Sequence, residues 1–307
     1  MHPDSSLKEN VTHGTEQNPI TGIHFESGPG TDFPDHFFVA RHWHPTVEIL
    51  YITKGTYLFE INLEEYHLSE GDFCFLNGED LHQITGMEPD TRHEVLIFDS
   101  RILEFTYHDE WQESVLSPFA DKRKILPHFL RPTDEHYEEL RTVLAQLMKL
   151  SLEQKNEWYV SCKLLLLHFI NRMHEYGLLL SSDQNLSAGD ELKIVRYKSL
   201  VSYMEQHYSR SITLQDLADL ISCNPQYLCR FFREITGTSP MQYLISCRIE
   251  HACTLLTETT SPILSICLDC GFENVSYFIR KFKQTKGCTP KEYRNRHFRN
   301  ENGNQFG

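Results

Sequence analysis

Four side chains able to donate to a metal ion or a polar ligand stand close together in the first third of the chain: His42, His44, Glu48 and His82. Imidazole and carboxylate together suit Zn, Fe, Mn or Ni, with positions left open for a second ligand. The same groups without a metal would line a pocket for a polar small molecule such as a sugar. Far downstream, Arg230 and Arg280 lie fifty positions apart in what proves to be a repeated segment. A guanidinium can bond guanine O6 and N7 as a fork, which discriminates between bases by about 1–3 kcal/mol. Both kinds of chemistry need elements that hold the side chains in place.

The repeat defines the elements around the arginines. Tyr227, Arg230, Phe232, Gly237, Pro240 and Tyr243 recur as Tyr277, Arg280, Phe282, Gly287, Pro290 and Tyr293. Upstream the register slips by one, pairing Leu214, Leu217, Ala218 and Ile221 with Ile263, Ile266, Cys267 and Cys270. Fixed-period self-similarity means one supersecondary unit used twice. Leu214, Leu217, Ala218 and Ile221 mark the apolar face of a helix of about three turns, with Thr213 as its N-cap. Asn224-Pro225 ends that helix and starts the next, which runs to Gly237. Ser239-Pro240-Met241-Gln242 reads as a capping box opening a third helix, and Thr289-Pro290-Lys291-Glu292 repeats it. With Leu228 and Phe232 buried, Gln226, Cys229, Arg230 and Arg233 point outward. In the second unit Ser276, Ile279, Arg280 and Lys283 do so.

Charge supports that reading once it is divided. The chain carries 29 Lys and Arg against 43 Asp and Glu, a net charge of −14. Residues 1–189 hold 14 basic against 31 acidic residues, whereas residues 190–300 hold 15 against 11. Residues 271–300 alone have eight basic and two acidic ones. A basic segment on an acidic chain is the electrostatic footprint of a polyanionic partner at one end only.

Residues Lys193 to Arg296 resemble the DNA-binding domain of the AraC/XylS family of transcription regulators. The run Gly271-Phe272-Glu273-Asn274-Val275-Ser276-Tyr277-Phe278-Ile279-Arg280-Lys281-Phe282-Lys283, with Gly287, Thr289-Pro290 and Tyr293-Arg294, carries the likeness. The resemblance implies two helix-turn-helix units bridged by a long helix, about Pro240–Leu256, that enter successive major grooves. It also implies that Gln226, Cys229 and Arg230, then Ser276, Tyr277 and Arg280, lie nearest the bases. Cys229 stands where that family often has a polar residue, and Ile279 cannot hydrogen-bond.

The N-terminal half has a different rhythm. Short β-type runs, Phe37–His42, Val47–Thr53, Thr56–Asn62, Tyr66–Leu68, Phe73–Leu76, Leu81–Thr85 and Val95–Asp99, alternate with turn residues such as Lys54-Gly55 and Asn77-Gly78-Glu79-Asp80. Evenly spaced short strands indicate a barrel or sandwich. His42-x-His44-x3-Glu48 with Gly55, then Gly71-Asp72 with His82, resembles the two motifs of cupins. Strands of such a barrel would aim the four donors at one interior point. Two amphipathic helices follow, with stripes Tyr137, Leu140, Leu144, Leu147 and Cys162, Leu166, Phe169, Met173. They suit packing on the barrel or on a second subunit.

The fold class expected is therefore α+β: an N-terminal cupin-like β-barrel with a helical pair, and a C-terminal all-α domain with two helix-turn-helix units. Residues 1–35 read as a loosely ordered arm, 36–130 as the sensor barrel, 131–180 as the helical pair and a dimerisation element. Residues 181–190 read as a linker, and 191–298 as the DNA-binding domain. Nine cysteines in no framework spacing, with no signal peptide or membrane-length apolar run, place the chain in the cytoplasm with free thiols. Cys267 and Cys270 form a CxxC, but on an apolar helix face they read as core. The expected function is sequence-specific transcription regulation, without enzymatic activity. The expected partners are double-stranded DNA, a small-molecule effector, a second copy of the chain and RNA polymerase, with no membrane. No cofactor is required, and a divalent metal in the barrel stays open. The competing reading is a metal-dependent cupin enzyme fused to a DNA-binding domain.

Overall fold

The structure, a computed structural model, describes residues 18–155, 157–182 and 188–303. The chain folds as two units, one ending at Glu191 and the other beginning at Leu192. The first contains β1 (Ile20–Glu26), β2 (Phe38–His42), β3 (Val47–Lys54), β4 (Thr56–Ile61), β5 (Glu64–Ser69), β6 (Phe73–Leu76), β7 (His82–Gly86) and β8 (Arg92–Phe98). After β8 come a short helix α1 (Ser117–Ala120), two-residue strands β9 (Lys124–Ile125) and β10 (Phe129–Leu130), helices α2 (Tyr137–Glu153) and α3 (Trp158–Glu175), and β11 (Leu180–Ser181).

The strands form two antiparallel sheets, β1-β8-β3-β6-β10 and β2-β7-β4-β5, with β9 and β11 as a separate pair. Side chains alternate across a strand, and β3 shows what that does here. Val47 and Ile49 face one core with α2 and α3, while Leu50 and Ile52 face a second core between the sheets. Covered on both sides, β3 reads as an almost unbroken apolar run. The inter-sheet core includes Phe37, Tyr57, Phe59, Leu76 and Ile97.

The two helices settle on the five-stranded sheet. Leu140, Leu144 and Leu147 of α2 and Cys162, Leu166, Phe169 and Met173 of α3 share a cluster with Val47, Ile49, Phe73, Phe75, Leu96 and Phe98. Of the two ways to bury those stripes, the chain uses its own barrel. Gly22 on β1 permits the close approach, because a Cβ there would lie 2.4 Å from Ser151 Oγ of α2.

Two expected boundaries change. The loose arm over residues 1–35 fails at Ile20–Glu26, which pairs with β8 along its whole length. Ile23 and Phe25 alternate with exposed His24 and Glu26 and pack on the inter-sheet core, so the barrel begins before residue 36. Residues 1–17 of the arm lie outside the described residues. The expected linker at 181–190 is shorter too, since Ser181 belongs to β11 and a helix starts at Ala188. Residues 183–187 lie outside the described residues.

The second unit is all helical. It contains α4 (Ala188–His207), α5 (Leu214–Leu220), α6 (Pro225–Thr236), α7 (Pro240–Glu258), α8 (Ile263–Asp269), α9 (Val275–Lys286) and α10 (Pro290–Gly303). Helix α4 buries Ile194, Tyr197, Leu200, Val201 and Met204, and that stripe lets the helix extend into polar sequence. Helix α5 has seven residues, about two turns rather than three. Ile221 is its C-cap, and Ser222 turns left-handed at φ 53°.

Candidate functional site

The two units of the repeat are built alike down to their caps. The Asn224 side chain accepts the Tyr227 N–H at 2.7 Å, and Asn274 accepts that of Tyr277 at 2.9 Å. Helices α6 and α9 each have twelve residues and end on a glycine at φ 71°, Gly237 and Gly287. These N–H groups donate to the carbonyls of Arg233 and Lys283. Ser239 and Gln242 then cap α7 reciprocally, as Thr289 and Glu292 do at α10. One difference precedes them. Thr213 makes a full capping box with Asp216 at α5, while Pro262 at α8 has no side-chain cap.

Each unit has its own apolar anchor. Phe232 of α6 lies 5.8 Å from Tyr197 and 5.6 Å from Tyr243 between ring centroids. In the second unit Phe282 of α9 lies 5.8 Å from Phe278 and 5.5 Å from Tyr293. Lys286 donates to both Glu250 oxygens at 2.7 Å, tying α9 to α7. Cys253, Cys267 and Cys270 pack in the same cluster as Phe278. Burial pushes the Cys270 thiol up to about 12, so it stays protonated.

These anchors fix which face is left outside. Gln226, Arg230 and Arg233 of α6 are exposed and Cys229 is half-buried. Together with Leu214 and Pro225 these four residues line one surface concavity. On α9, Ser276, Arg280 and Lys283 are exposed, and Ile279 and Tyr277 are half-buried. The outward set expected from periodicity is thus grouped helix by helix. A further pattern was not read from the sequence: each arginine lies over the tyrosine one turn before it. Arg230 sits 5.9 Å from the Tyr227 ring centroid, and Arg280 sits 5.3 Å from that of Tyr277. The signal was available, since Tyr and Arg recur at an i, i+3 spacing in both units.

The four donors of the barrel also meet. Glu48 faces inward with Leu50 and Ile52, opposite Leu76 and Ile97. His82 stands opposite Ile61 on one side and His42 on the other. His44 lies in the turn between β2 and β3. Its Nε2 is 3.0 Å from Glu48 Oε2, and His82 Nε2 is 3.9 Å from the same oxygen. Ligand atoms of His42, His44 and His82 all lie within 4.8 Å of one another. His44, Glu48 and His82 are 3%, 7% and 1% exposed, so water does not screen them.

Each imidazole is oriented through its Nδ1. His42 Nδ1 is 2.9 Å from the Ala40 carbonyl, His82 Nδ1 is 2.9 Å from that of Asp80, and His44 Nδ1 is 3.1 Å from that of Thr46. A carbonyl only accepts, so at His42 and His82 Nδ1–H donates to it and the Nε2 lone pair is directed inward; at His44 the Thr46 hydroxyl can donate to Nδ1, and Nε2–H donates to the Glu48 carboxylate. Metal-binding histidines are held this way by their outer partners. The three imidazoles fit a divalent transition metal by donor type, with Glu48 hydrogen-bonded beside them.

The turn that carries His82 is itself tied down. Burial opposes ionisation of Asp80, but a hydrogen bond from His128 and its charge, with Asn62 and the Asn77 N–H, hold the carboxyl below its usual value. The Glu79 N–H donates to the His44 carbonyl at 2.8 Å. A Cβ on Gly78 would stand 2.3 Å from the Pro45 carbonyl oxygen, so only glycine allows this approach. Asp80 and Gly78 were read from the sequence as turn residues, and their positioning role depends on contacts distant along the chain.

Comparison with known proteins agrees with both halves. A helix-turn-helix domain family matches residues 217–296, and an AraC-like ligand binding domain family matches residues 26–170. The chain belongs to the AraC family of transcription regulators. YdeC of Bacillus subtilis, an HTH-type transcriptional regulator, is 24% identical to this family member over 95% of the present chain and 97% of its own. The transcriptional activator RhaR of an Enterobacter species is 24% identical over 86% and 89%. Among solved structures, the C-terminal domain of the response regulator yesN of Fusobacterium nucleatum is 34% identical. It covers 32% of this regulator and 95% of that chain, with a TM-score of 0.31.

Proposed function

We propose that this AraC-family regulator binds a specific double-stranded DNA site through α6 and α9, under the control of a small ligand held at the His42, His44, Glu48 and His82 end of its barrel. The observation that carries the reading is the duplicated reader, with two helices capped alike and each presenting an exposed arginine. Gln226, Cys229, Arg230 and Arg233 are the contacts proposed for the first unit, and Ser276, Tyr277, Arg280 and Lys283 for the second. The basic charge of residues 271–300 supplies attraction to phosphates. The matched relatives are named as transcription regulators, which favours a sensor over a fused cupin enzyme.

The chain is proposed to act as a homodimer in the cytoplasm. Val160 and Leu164 stand one turn apart on α3, 56% and 63% exposed, off the stripe that packs on the barrel. All nine cysteines are free, as in a reducing compartment, and among the described residues no helix is long and apolar enough to cross a membrane. Contact with RNA polymerase belongs to the same proposal, since one relative is named an activator.

The test is selection of DNA from a random-sequence pool by the full chain, followed by footprinting. One motif should emerge, protected as two blocks about 10 base pairs apart. Affinity should fall about 10³-fold or more between roughly 50 and 200 mM salt. A pool that stays unenriched would refute the reading.

A further inference from the structure

We infer that the two units of the repeat read different sequences, so that the DNA site is a pair of unlike half-sites. One holds an adenine read by Gln226, and the other holds a thymine whose methyl group packs on Ile279. The inference rests on the DNA-binding reading above and gives that DNA its base chemistry. Helices α6 and α9 share their length, their asparagine cap and their terminal glycine. A difference in what they read therefore comes from outward side chains and not from the frame.

Four outward positions correspond: Gln226 with Ser276, Cys229 with Ile279, Arg230 with Arg280, and Arg233 with Lys283. Arg230 and Arg280 are alike, so they do not make the half-sites differ. Gln226 and Ser276 are the second residues of their helices, and both are exposed. The N-terminal residues of a recognition helix are the ones that reach base edges. A glutamine amide carries an acceptor and donors side by side, which matches N6 and N7 of adenine as a fork. Serine offers one hydroxyl on a one-carbon stem, which donates or accepts and suits several bases. Adenine is thus specified by the first unit alone. Gln226 and Arg230 lie four residues apart, about 6 Å along the helix. The adenine and the guanine under Arg230 are therefore about two base-pair steps apart, at roughly 3.4 Å each.

One turn on, the contrast is apolar. Cys229 is small and half-buried, and with Gln226, Arg230 and Arg233 it lines a recess of about 620 Å³. Ile279 is larger. Part of it packs on the core of the second unit, and the rest faces outward beside exposed Arg280. On the base edges of a major groove the apolar group it meets is the C5-methyl of thymine. Ile279 and Arg280 are successive residues, about 1.5 Å apart along the helix, so the thymine lies next to the guanine under Arg280. Charge compensates for the missing hydrogen bond. Helix α6 sets Arg230 and Arg233 against Glu234, whereas α9 carries Arg280, Lys281 and Lys283 without an acidic residue, besides the Lys286 that holds Glu250. The second unit grips phosphates more strongly and reads bases less.

The test uses the full chain and the duplex it selects from the random pool. The two protected blocks should differ, one holding adenine and guanine and the other thymine beside guanine. Replacing that thymine by uracil removes only the methyl group and should weaken wild-type binding roughly fourfold. Ile279→Ala should bind both duplexes alike. Replacing the adenine by 7-deazaadenine removes only the N7 acceptor and should weaken wild-type binding about fivefold or more. Gln226→Ala should be indifferent to that change, and selection with it should leave the adenine position unfixed and the second block intact. Two identical half-sites overturn the inference, as does a second block without thymine. A wild-type chain indifferent to an analogue overturns the contact that the analogue probes. Variants as sensitive as the wild type overturn the assignment to Gln226 and Ile279. All these results leave the DNA-binding reading standing, whereas a pool without any motif sinks that reading itself. The analogue duplexes are titrated with the wild-type chain, so they decide the matter even if a variant fails to fold.

Discussion

Arg230 and Arg280 leave their helices one turn after Tyr227 and Tyr277, and the rings beneath them limit where the guanidinium groups go. A steadied arginine loses less freedom on binding, which favours discrimination between bases over general attraction to phosphate. Arg230→Ala and Arg280→Ala should each weaken specific DNA binding by about 1–3 kcal/mol and binding to unrelated DNA much less. Titrations of both DNAs with both variants check this, and equal losses on the two would reassign the arginines to phosphates. Another residue-scale prediction concerns His93. It is 1% exposed, stacked on Phe25 and hydrogen-bonded through Nδ1 to Tyr57 OH at 2.8 Å. Burial, with a smaller contribution from His24, pushes its imidazole down to about 3. The unfolded chain, with an imidazole near 6.5, therefore binds this proton first as pH falls. The stabilisation is whole above pH 6.5 and is lost progressively toward pH 3. Between pH 7.5 and 5 this one group should remove about 2 kcal/mol. Denaturant melts at both pH values should show that loss in the wild type and a flatter profile in His93→Phe, whatever its absolute stability.

Elements are placed by a few close approaches. Helix α2 meets β1 at Gly22, where a Cβ would press on Ser151 Oγ, Cβ and main-chain carbon at 2.4–2.8 Å. Backbone atoms of a packed helix cannot move aside as a flexible side chain does, so Gly22→Ala should cost about 1–3 kcal/mol. Chemical denaturation measures it. An unchanged midpoint would mean that α2 sits farther from the sheet. In the second unit, Asn224 and Asn274 occupy the same N-cap position, and replacing either by Ala should cost about 1 kcal/mol. The two losses should be nearly additive because the caps serve different helices. Thermal melts of both single variants and the double variant give the answer.

At the scale of the whole molecule, two compact units divide the work suggested by their charge. The acidic first unit has its own apolar cores and the buried donor cluster, and the basic second unit has the repeated helix-turn-helix segments. Assembly belongs at this scale too. With the inner stripes of α2 and α3 spent on the barrel, Val160 and Leu164 are exposed apolar side chains of α3 that the proposed dimer would cover. Leu164→Glu combined with Val160→Glu should shift the chain to monomer in sedimentation equilibrium and leave its far-UV spectrum unchanged. A wild-type chain that is monomeric at micromolar concentration would end the dimer proposal.

Local chemistry made much of this protein legible in its sequence. Caps, glycine C-termini, the fifty-residue repeat and strand alternation act over a few residues. Helices α6 and α9, their outward faces, most of the barrel strands and the four donors could accordingly be named in advance. Tertiary contacts decided the rest. Strand β1 exists because β8 pairs with it, α5 stops short because Ser222 turns left-handed, and the helical pair lies on the sheet because Gly22 lets it approach. The convergence of His42, His44, His82 and Glu48 depends on two sheets meeting face to face. Spacing along one chain can nominate such donors, but distances between strands far apart in sequence are set only when the core between them is packed.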